Sequence, residues 1–235
     1  MTIEQTRATA PLTEADDPML LTSDEARAHL TGLPWRRFVV MGDSVAAGTG
    51  DPWPGYEDVP WADRLAATMS EVRPDLAYLN TGAFGATIDQ VRREQLSTVL
   101  DFEPDLIHLS AGANDLLSGA DLDDVEHDLD TLCAVLAASG AQLSMFTLAD
   151  AFTDRLVRFR PTFAAYADIV RRVAAHHGAI LTEFWAHPAR LRDNWLSADR
   201  IHLTKAGHAV VASEMTRSLS RALRDRPGRS DGHSR

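Results

Sequence analysis

Three features that this sequence lacks narrow its possible class. Cys133 is the only cysteine among 235 residues, so no disulfide can form within the chain. No stretch approaches the ~18 uninterrupted apolar residues that a membrane-spanning helix needs. Residues 1–17 contain no basic stretch followed by an apolar one, which is the pattern of a secretory leader. We therefore expect a cytoplasmic protein without membrane insertion, in which Cys133 is a small buried thiol.

Positive charge is also scarce. The chain has 23 Lys and Arg residues against 34 Asp and Glu, which gives a formal net charge of -11. Such a surface repels phosphate backbones and anionic lipid head groups, so neither nucleic acid nor a charged membrane is an expected partner. The charge balance says nothing about the fold.

The length and composition favour a single main domain. With 45% hydrophobic residues, the chain can bury one sizeable core. We predict an N-terminal extension over residues 1–35, one domain over 36–223 and a flexible tail over 224–235. Residues 1–21 are polar and acidic, and we expect them to lie loosely over the surface. Thr22 and Glu25 have the spacing of a capping box, which predicts a short helix ending near Leu30.

Short apolar runs alternate with amphipathic stretches along the body of the chain. The apolar runs predict strands at 38–41, 76–79, 106–109, 143–148 and 180–184. The amphipathic stretches predict helices at 61–72, 88–100, 122–138, 161–177 and 205–223. Strands that are apolar throughout are typical of a parallel sheet covered on both faces. We therefore predict an α/β fold, a three-layer α/β/α sandwich around a five-stranded parallel sheet in flavodoxin-like order.

Candidate site residues follow the first three predicted strands. Ser44 comes after the first strand, Gly82 and Gly85 after the second, and Asn114 after the third. In open parallel sheets, ligands bind at the carboxyl ends of the strands, near the point where the strand order reverses. These residues are therefore expected to lie close together although they are far apart in sequence.

A serine, a histidine and an aspartate supply the groups for nucleophilic catalysis. A serine hydroxyl is a poor nucleophile until a neighbouring base removes its proton. His202 can be that base for Ser44, and Asp199, three residues earlier, can orient the imidazole ring and stabilise its charged form. Taken alone, a Gly-Asp-Ser sequence commonly caps a helix, and an Asp-x-x-His pair is commonly a surface ion pair.

The glycine and asparagine patches can supply hydrogen-bond donors to an oxyanion. A glycine N–H can approach a ligand closely because no side chain intervenes, and the Asn114 amide offers another donor. One such donor is typically worth ~3 to 4 kcal/mol of transition-state stabilisation. A turn glycine and an Asx turn are the alternatives at these positions.

Taken together and in this order, these residues resemble the SGNH (GDSL-type) hydrolase family over roughly residues 38–219. The resemblance implies that Ser44 is the nucleophile and that His202, oriented by Asp199, is the base. It further implies an oxyanion hole made by the backbone N–H of Ser44 with Gly85 and Asn114.

Two details of the resemblance concern single positions. Val45 stands where the family commonly has leucine, a mild departure. Phe84-Gly85-Ala86-Thr87 is similar to the family's helix start, in which a threonine follows the glycine. This favours Gly85 over Gly82 as the oxyanion glycine.

The implied function is a serine-dependent hydrolase of carboxylic esters that works through an acyl-Ser44 intermediate without a cofactor. Its expected partner is a small acyl ester, on a metabolite, a sugar or a lipid, and its oligomeric state is left open. An acyltransferase with the same site and a non-catalytic binding domain that keeps the fold are the alternatives. Because the base must be neutral, activity should fall in acid, near the ordinary histidine pKa of ~6.5.

Other motifs have weaker support. An α/β-hydrolase elbow needs a second glycine where Ala46 stands. Gly48 and Gly50 lack the third glycine of a dinucleotide fingerprint, and no Gly-x-x-x-x-Gly-Lys phosphate loop occurs. His176 and His177 are adjacent and should point to different sides of a helix, so neither they nor His187 are expected to bind a metal.

The substrate pocket is the least defined part of the site. Trp53, Tyr56, Trp61 and Trp195 can flank an acyl chain or stack on a sugar ring, and packing is an equal alternative. We expect the loop at residues 51–59 to form one wall of the cleft. His208 is expected to have a structural role at the start of the last helix.

Overall fold

A computed structural model describes residues 12–225, and the predicted tail beyond Asp225 and the first eleven residues lie outside this range. Five strands form its single sheet within the described residues: β1 Arg37–Gly42, β2 Ala77–Asn80, β3 Leu106–Ser110, β4 Gln142–Phe146 and β5 Ile180–Thr182. All neighbouring strands pair in parallel, in the order β2-β1-β3-β4-β5. This confirms the predicted five-stranded sheet and its flavodoxin-like order.

The strand order reverses at β1, which pairs with both β2 and β3. Val39 of β1 lies opposite Leu79 of β2 on one side and Ile107 of β3 on the other. The loops that follow β1 and β3 therefore leave the sheet side by side at its carboxyl edge. That edge is where open parallel sheets bind their ligands.

Helices cover both faces of the sheet. Their bounds are α1 Ser23–His29, α2 Trp61–Val72, α3 Ile88–Glu94, α4 Leu96–Asp101, α5 Ala113–Leu117, α6 Leu122–Ala138, α7 Arg160–His176 and α8 Lys205–Arg224. Short 3-10 helices occupy Glu14–Asp16, Asp154–Phe159 and Pro188–Leu191. Thr22 forms the predicted capping box with Glu25 at the start of α1.

Two hydrophobic cores lie on opposite faces because successive strand residues point to opposite sides. Val39 and Met41 of β1 pack in one core with α3, α4, α6 and α7, where Cys133 is fully buried. Burial raises the pKa of the Cys133 thiol to about 12. Phe38 and Val40 pack in the other core with α2, α8 and the segment after α1 that carries Leu30 and Leu33. The result is the predicted three-layer α/β/α sandwich.

The predicted helix at residues 88–100 is interrupted. It divides into α3 and α4 at Gln95, whose side-chain amide is buried against the end of β1. Gln95 accepts a hydrogen bond from Gly42 N at 2.9 Å and donates one to Gly42 O at 2.8 Å. A side chain needed at the sheet edge thus takes precedence over a continuous helix.

Residues 12–21 differ from the prediction of a loose surface segment. The Asp17 carboxylate is fully buried, pairs with Arg192 at 2.7 and 2.9 Å, and accepts a hydrogen bond from the Tyr56 hydroxyl at 2.8 Å. Leu21 N donates to the Ser213 hydroxyl of α8 at 3.1 Å. This segment is polar because it is fastened by ion pairs and hydrogen bonds, not because it is unattached.

Candidate active site

The loop after β1 presents Ser44 at the carboxyl edge of the sheet. Gly42 ends the strand with a φ of +136°, and a Cβ there would lie 1.8 Å from Ser110 O of β3. Only glycine permits this close approach of two strands and the sharp turn that follows. Residues 44–48 form a series of turns, and Ser44 is buried at 6% exposure. Its backbone N–H donates no hydrogen bond to any described residue.

Asp43 anchors this loop. Its backbone N–H donates to Ser110 O at 2.9 Å, and its carboxylate accepts a hydrogen bond from Val45 N at 2.9 Å. Burial raises the pKa of Asp43 to about 6, although hydrogen bonds from the N–H groups of Val45 and Ala46 favour the charged form. The carboxylate fixes the turn that carries Ser44, and it makes no hydrogen bond to His202.

Ser44, His202 and Asp199 form one hydrogen-bonded line. His202 Nε2 lies 2.8 Å from Ser44 Oγ, and His202 Nδ1 lies 2.6 Å from Asp199 Oδ2. The other carboxylate oxygen, Oδ1, accepts hydrogen bonds from Ile201 N at 2.9 Å and His202 N at 3.0 Å. The structure therefore brings together the three residues that the sequence singled out.

The carboxylate of this line is held in its charged form. Partial burial alone would raise the pKa of Asp199, but the hydrogen bonds from the His202 ring and from two backbone N–H groups lower it below its ordinary value. A charged carboxylate on Nδ1 keeps the proton at that nitrogen and leaves Nε2 free to accept one.

Two polar residues that the sequence analysis missed hold the His202 loop in place. Asp51 N donates to the Ser197 hydroxyl at 2.8 Å, and Asp51 Oδ2 accepts from Ala198 N at 2.9 Å. The Ser197 hydroxyl in turn donates to Leu203 O at 2.9 Å. These contacts join the loop after Ser44 to the loop before α8. The sequence could not predict these contacts, because single Asp and Ser residues are common in loops and the two loops are far apart in the chain.

The two glycines after β2 have different surroundings. Gly82 N donates to Asn80 Oδ1 at 2.9 Å, and a Cβ on Gly82 would come within 2.3 Å of Ala47 N. Gly85 has a φ of +74° and open space around its Cβ position. Its N–H donates no hydrogen bond within residues 12–225. The neighbouring Phe84 ring lies 5.4 Å from the His202 ring, so this segment borders the hydrogen-bonded line.

Asn114 lies at the start of α5, after a turn at Gly112. The Asn114 amide donates one hydrogen to Ala86 O at 3.0 Å, which leaves its second hydrogen available. The next residue, Asp115, accepts a hydrogen bond from Ile88 N at 3.1 Å, and burial raises the pKa of its carboxyl group. The loops after β2 and β3 are thus tied together beside Ser44.

A small apolar cavity of about 120 Å³ opens beside Ser44. Ser44 and Asn114 contribute its polar wall together with Arg200, whose φ of +64° is unusual for a side chain with a Cβ. The apolar wall comes chiefly from Leu117, Leu148, Phe152, Leu156, Trp195 and Ile201.

Of the four aromatic residues predicted to border the cleft, only Trp195 lines this cavity. Trp61 is fully buried in a core and donates its indole N–H to Val45 O at 2.8 Å. Tyr56 bonds to Asp17, and Trp53 packs beside it. The prediction that residues 51–59 form a wall of the cleft is wrong, because this loop packs against the N-terminal segment and supports the His202 loop.

His208 is fully buried and lies between two parts of the chain. Its Nδ1 accepts a hydrogen bond from Trp61 N at 3.3 Å, and its Nε2 lies 3.2 Å from Thr49 O. Burial lowers the pKa of His208 to about 3, so the ring stays neutral. These contacts agree with the structural role expected for it.

The prediction that His176 and His177 point apart is wrong. Helix α7 ends at His176, and the centre of the His177 ring lies 4.5 Å from that of the His176 ring. His176 Nδ1 and His177 Nε2 each lie 2.8 Å from Asp130 Oδ1 of α6. His187 is elsewhere and accepts a hydrogen bond from Ala189 N.

In the described part of the chain, no helix is both long and apolar enough to cross a bilayer.

Comparisons with known proteins agree with this architecture. Residues 40–210 match the GDSL-like Lipase/Acylhydrolase family. The chain is 23% identical over 193 residues to an arylesterase of Vibrio mimicus, covering 80% of this chain and 90% of that protein.

Solved structures show the same fold at low identity. LAE5, an alpha/beta hydrolase enzyme from the metagenome of Lake Arreo, Spain, superimposes with a TM-score of 0.65 at 24% identity, over 82% of this chain and 97% of that one. Axe2, an acetylxylan esterase from Geobacillus stearothermophilus, gives a TM-score of 0.64 at 20% identity, over 80% of this chain and 94% of its own.

The match spans most of the chain and includes the segments that carry Ser44, Gly85, Asn114 and His202. The chain therefore belongs to the GDSL-like lipase/acylhydrolase family, the SGNH hydrolases. It is a carboxylic ester hydrolase of this family.

Proposed function

We propose that this enzyme hydrolyses esters of short acyl groups through an acyl-Ser44 intermediate. The observation that carries the proposal is the hydrogen-bonded line from Ser44 through His202 to Asp199, which begins at the wall of a small apolar cavity. The reacting hydroxyl, its base and the space for an acyl group are thus adjacent.

In the first step, His202 Nε2 takes the proton of Ser44 as Oγ forms a bond to the ester carbonyl carbon. The 2.8 Å separation is within the range for direct proton transfer. Asp199 stabilises the resulting imidazolium without taking its proton. Collapse of the tetrahedral intermediate breaks the bond to the alcohol oxygen, and His202 returns its proton to the departing alcohol.

In the second step, His202 takes a proton from water, and the water oxygen attacks the acyl carbon. The bond to Ser44 Oγ then breaks, the proton passes back to Ser44, and the carboxylic acid leaves. The chain's own residues supply every proton transfer in this cycle, and no cofactor is needed to balance it.

Three donors are available to the oxyanion of both tetrahedral intermediates. The N–H groups of Ser44 and Gly85 donate no hydrogen bond within the described chain, and Asn114 keeps one amide hydrogen. Gly82 is less suitable, because its N–H is already bonded to Asn80. Loss of one donor of this kind typically costs ~3 to 4 kcal/mol of transition-state stabilisation.

The cavity supports a short acyl group. A water molecule occupies ~30 Å³ in the liquid, so about 120 Å³ holds only a few groups of methylene size. Its walls are aliphatic and aromatic, which favours an alkyl chain over a sugar hydroxyl. Relatives described as an arylesterase and an acetylxylan esterase have activities compatible with small acyl groups.

A panel of aryl esters from acetyl to palmitoyl tests this proposal. We expect the highest kcat/KM between acetyl and hexanoyl and at least a ten-fold fall at decanoyl, since longer chains exceed the cavity. Ser44→Ala should lower turnover of the best ester by at least about a thousand-fold while the circular dichroism spectrum is unchanged. Unaltered turnover in that variant would refute the acyl-Ser44 intermediate, and a palmitoyl optimum would refute the short-acyl assignment.

A further inference from the structure

A second cluster of reactive side chains lies between α6 and α7, away from the residues around Ser44. Asp130 of α6 faces His176 at the end of α7 and His177 immediately after it. One possible ligand atom from each residue lies within 4.8 Å of those of the other two. Neither the proposed hydrolysis nor the packing of the core uses these groups.

The arrangement has the dimensions of a metal site. Both imidazole nitrogens lie 2.8 Å from the same carboxylate oxygen. For three atoms so placed, the equidistant point is roughly 1.6 to 2.7 Å from each, a range that includes the ~2.0 to 2.2 Å of zinc bonds to nitrogen and oxygen. Small side-chain rotations therefore suffice to place an ion among them.

The surroundings allow an ion to enter and complete its coordination. His177 is largely covered, with 9% of its side chain exposed, whereas 38% of Asp130 and 68% of His176 are accessible. A cavity of about 430 Å³ borders the cluster and is also lined by Asp123, Glu126 and Arg172. Arg172 pairs with Glu126 at 2.6 Å, so the carboxylates of Asp123 and Asp130 leave the lining negative in sum. A partly covered, acidic site of this kind attracts cations and leaves room for water as a further ligand.

The ligand types select the class of ion. Imidazole nitrogen suits zinc, copper and nickel, whereas magnesium and calcium prefer sites built only from oxygen. Two imidazoles with one carboxylate form a set found in zinc sites that keep an open position.

We propose that Asp130, His176 and His177 form a binding site for a divalent transition-metal ion of the zinc class, which joins α6 to α7. Bound metal replaces two hydrogen bonds with three coordinate bonds between elements that already pack together. Because binding requires the folded arrangement of the two helices, the ion stabilises the native state.

Calorimetric titration of the metal-free, full-length protein with zinc chloride tests the site. We expect one ion per chain with a single-site isotherm, and a melting temperature that rises with zinc. His176→Ala and Asp130→Asn should each weaken zinc binding at least ten-fold and remove the rise in melting temperature. Both variants change partly exposed side chains, and their unchanged ester turnover reports that they are folded.

His127→Ala is the matched control, since His127 also lines the neighbouring cavity but is outside the proposed ligand set. Its zinc affinity should stay within about two-fold of the wild-type value, as expected for a residue that is not a ligand. The proposal is overturned by an absence of single-site binding in the wild type. Full affinity in His176→Ala or Asp130→Asn, or an equal loss in His127→Ala, would overturn it as well.

Discussion

Ser44 Oγ and His202 Nε2 lie 2.8 Å apart although 158 positions separate the two residues in the chain. The loop after β1 carries the serine, and the loop before α8 carries the histidine. Contacts of Asp51 with Ser197 and Ala198 join these loops directly. The reacting pair is therefore preorganised by hydrogen bonds between its two supporting loops, and no loop closure is needed to unite it.

The carboxylate behind His202 is expected to matter more for kcat than for KM. In Asp199→Asn, an amide faces His202 Nδ1 and favours the tautomer with the proton on Nε2, which cannot accept the Ser44 proton. We expect kcat to fall by about 100- to 10,000-fold with KM within about three-fold. Steady-state kinetics on the best aryl ester measure this.

Asp193→Asn is the matched control for this change, since Asp193 is an exposed carboxylate on the same loop region. It should retain full turnover. Equal effects of the two substitutions would mean that the loss comes from surface charge and not from the orientation of His202.

The apolar wall of the cavity should set the acyl-chain preference. The Phe152 ring lines the cavity and packs 5.0 Å from the Phe163 ring. Phe152→Ala removes this wall, so we expect the ratio of kcat/KM for octanoyl to that for acetyl esters to rise about ten-fold. Val157→Ala changes a half-exposed side chain of the 3-10 helix that follows Phe152 and should leave the ratio unaltered. A constant ratio in Phe152→Ala would place the acyl group elsewhere.

Asp43 should destabilise the protein at neutral pH. Its folded pKa of about 6 exceeds the ordinary value of 3.8, so between these values the native state binds more protons than the unfolded state. Stability therefore falls as pH rises through this window, and the loss persists above it. One pKa unit corresponds to about 1.4 kcal/mol. Asp43→Asn should therefore raise the free energy of unfolding by at most about 3 kcal/mol at pH 8 and by about half of that at pH 5.

Urea unfolding of both proteins at these two pH values measures the difference. The amide can still accept the Val45 hydrogen bond, so the turn is kept. A variant less stable than the wild type at pH 8 would show that the hydrogen bonds of the charged carboxylate outweigh its burial.

His108 should make the protein sensitive to acid. The ring is fully buried between Trp61 and Phe146, and burial lowers its pKa to about 3. Below the ordinary pKa of 6.5, the unfolded state binds a proton that the native state excludes, so stability falls as pH falls from 6.5 towards 3. Below pH 6.5 each pH unit corresponds to about 1.4 kcal/mol, so this one group lowers the free energy of unfolding by about 2 kcal/mol between pH 8 and pH 5.

Methionine fills a similar volume without a titratable group. His108→Met should therefore lose about 2 kcal/mol less stability between pH 8 and 5 than the wild type does, whatever its stability at pH 8. Urea midpoints across this range test the expectation. Parallel curves for the two proteins would show that His108 takes up a proton in the native state.

Much of the fold was predictable because its signals are local. Each observed strand overlaps its apolar run, and α2 and α6 have the predicted bounds, since the hydrophobic pattern fixes where such elements can be buried. The break at Gln95 was not predictable, because its cause is Gly42, which is 53 positions away. The attachment of residues 12–21 to the domain was not predictable either, because it depends on the ion pair of Asp17 with Arg192, which is distant in sequence.

The candidate site likewise has a part that local motifs predicted and a part that depends on tertiary packing. Ser44, Asn114 and His202 belong to short motifs at strand or helix ends, and a common sheet edge brings such ends together. The cavity wall has no such motif, because Leu148, Phe152 and Leu156 come from the loop after β4 and the short 3-10 helix that follows it, whose path depends on tertiary packing. The convergence of the His176 and His177 rings was missed because their common partner, Asp130, lies on another helix and is distant in sequence.

The most direct test of the central claim is the intact mass and peptide map of the enzyme after reaction with an aryl phosphonate, which forms a stable bond to an activated serine. We expect one adduct per chain, on the peptide that contains Ser44, and slow labelling in His202→Ala. Labelling at another residue, or equally fast labelling of Ser44 without His202, would contradict the account.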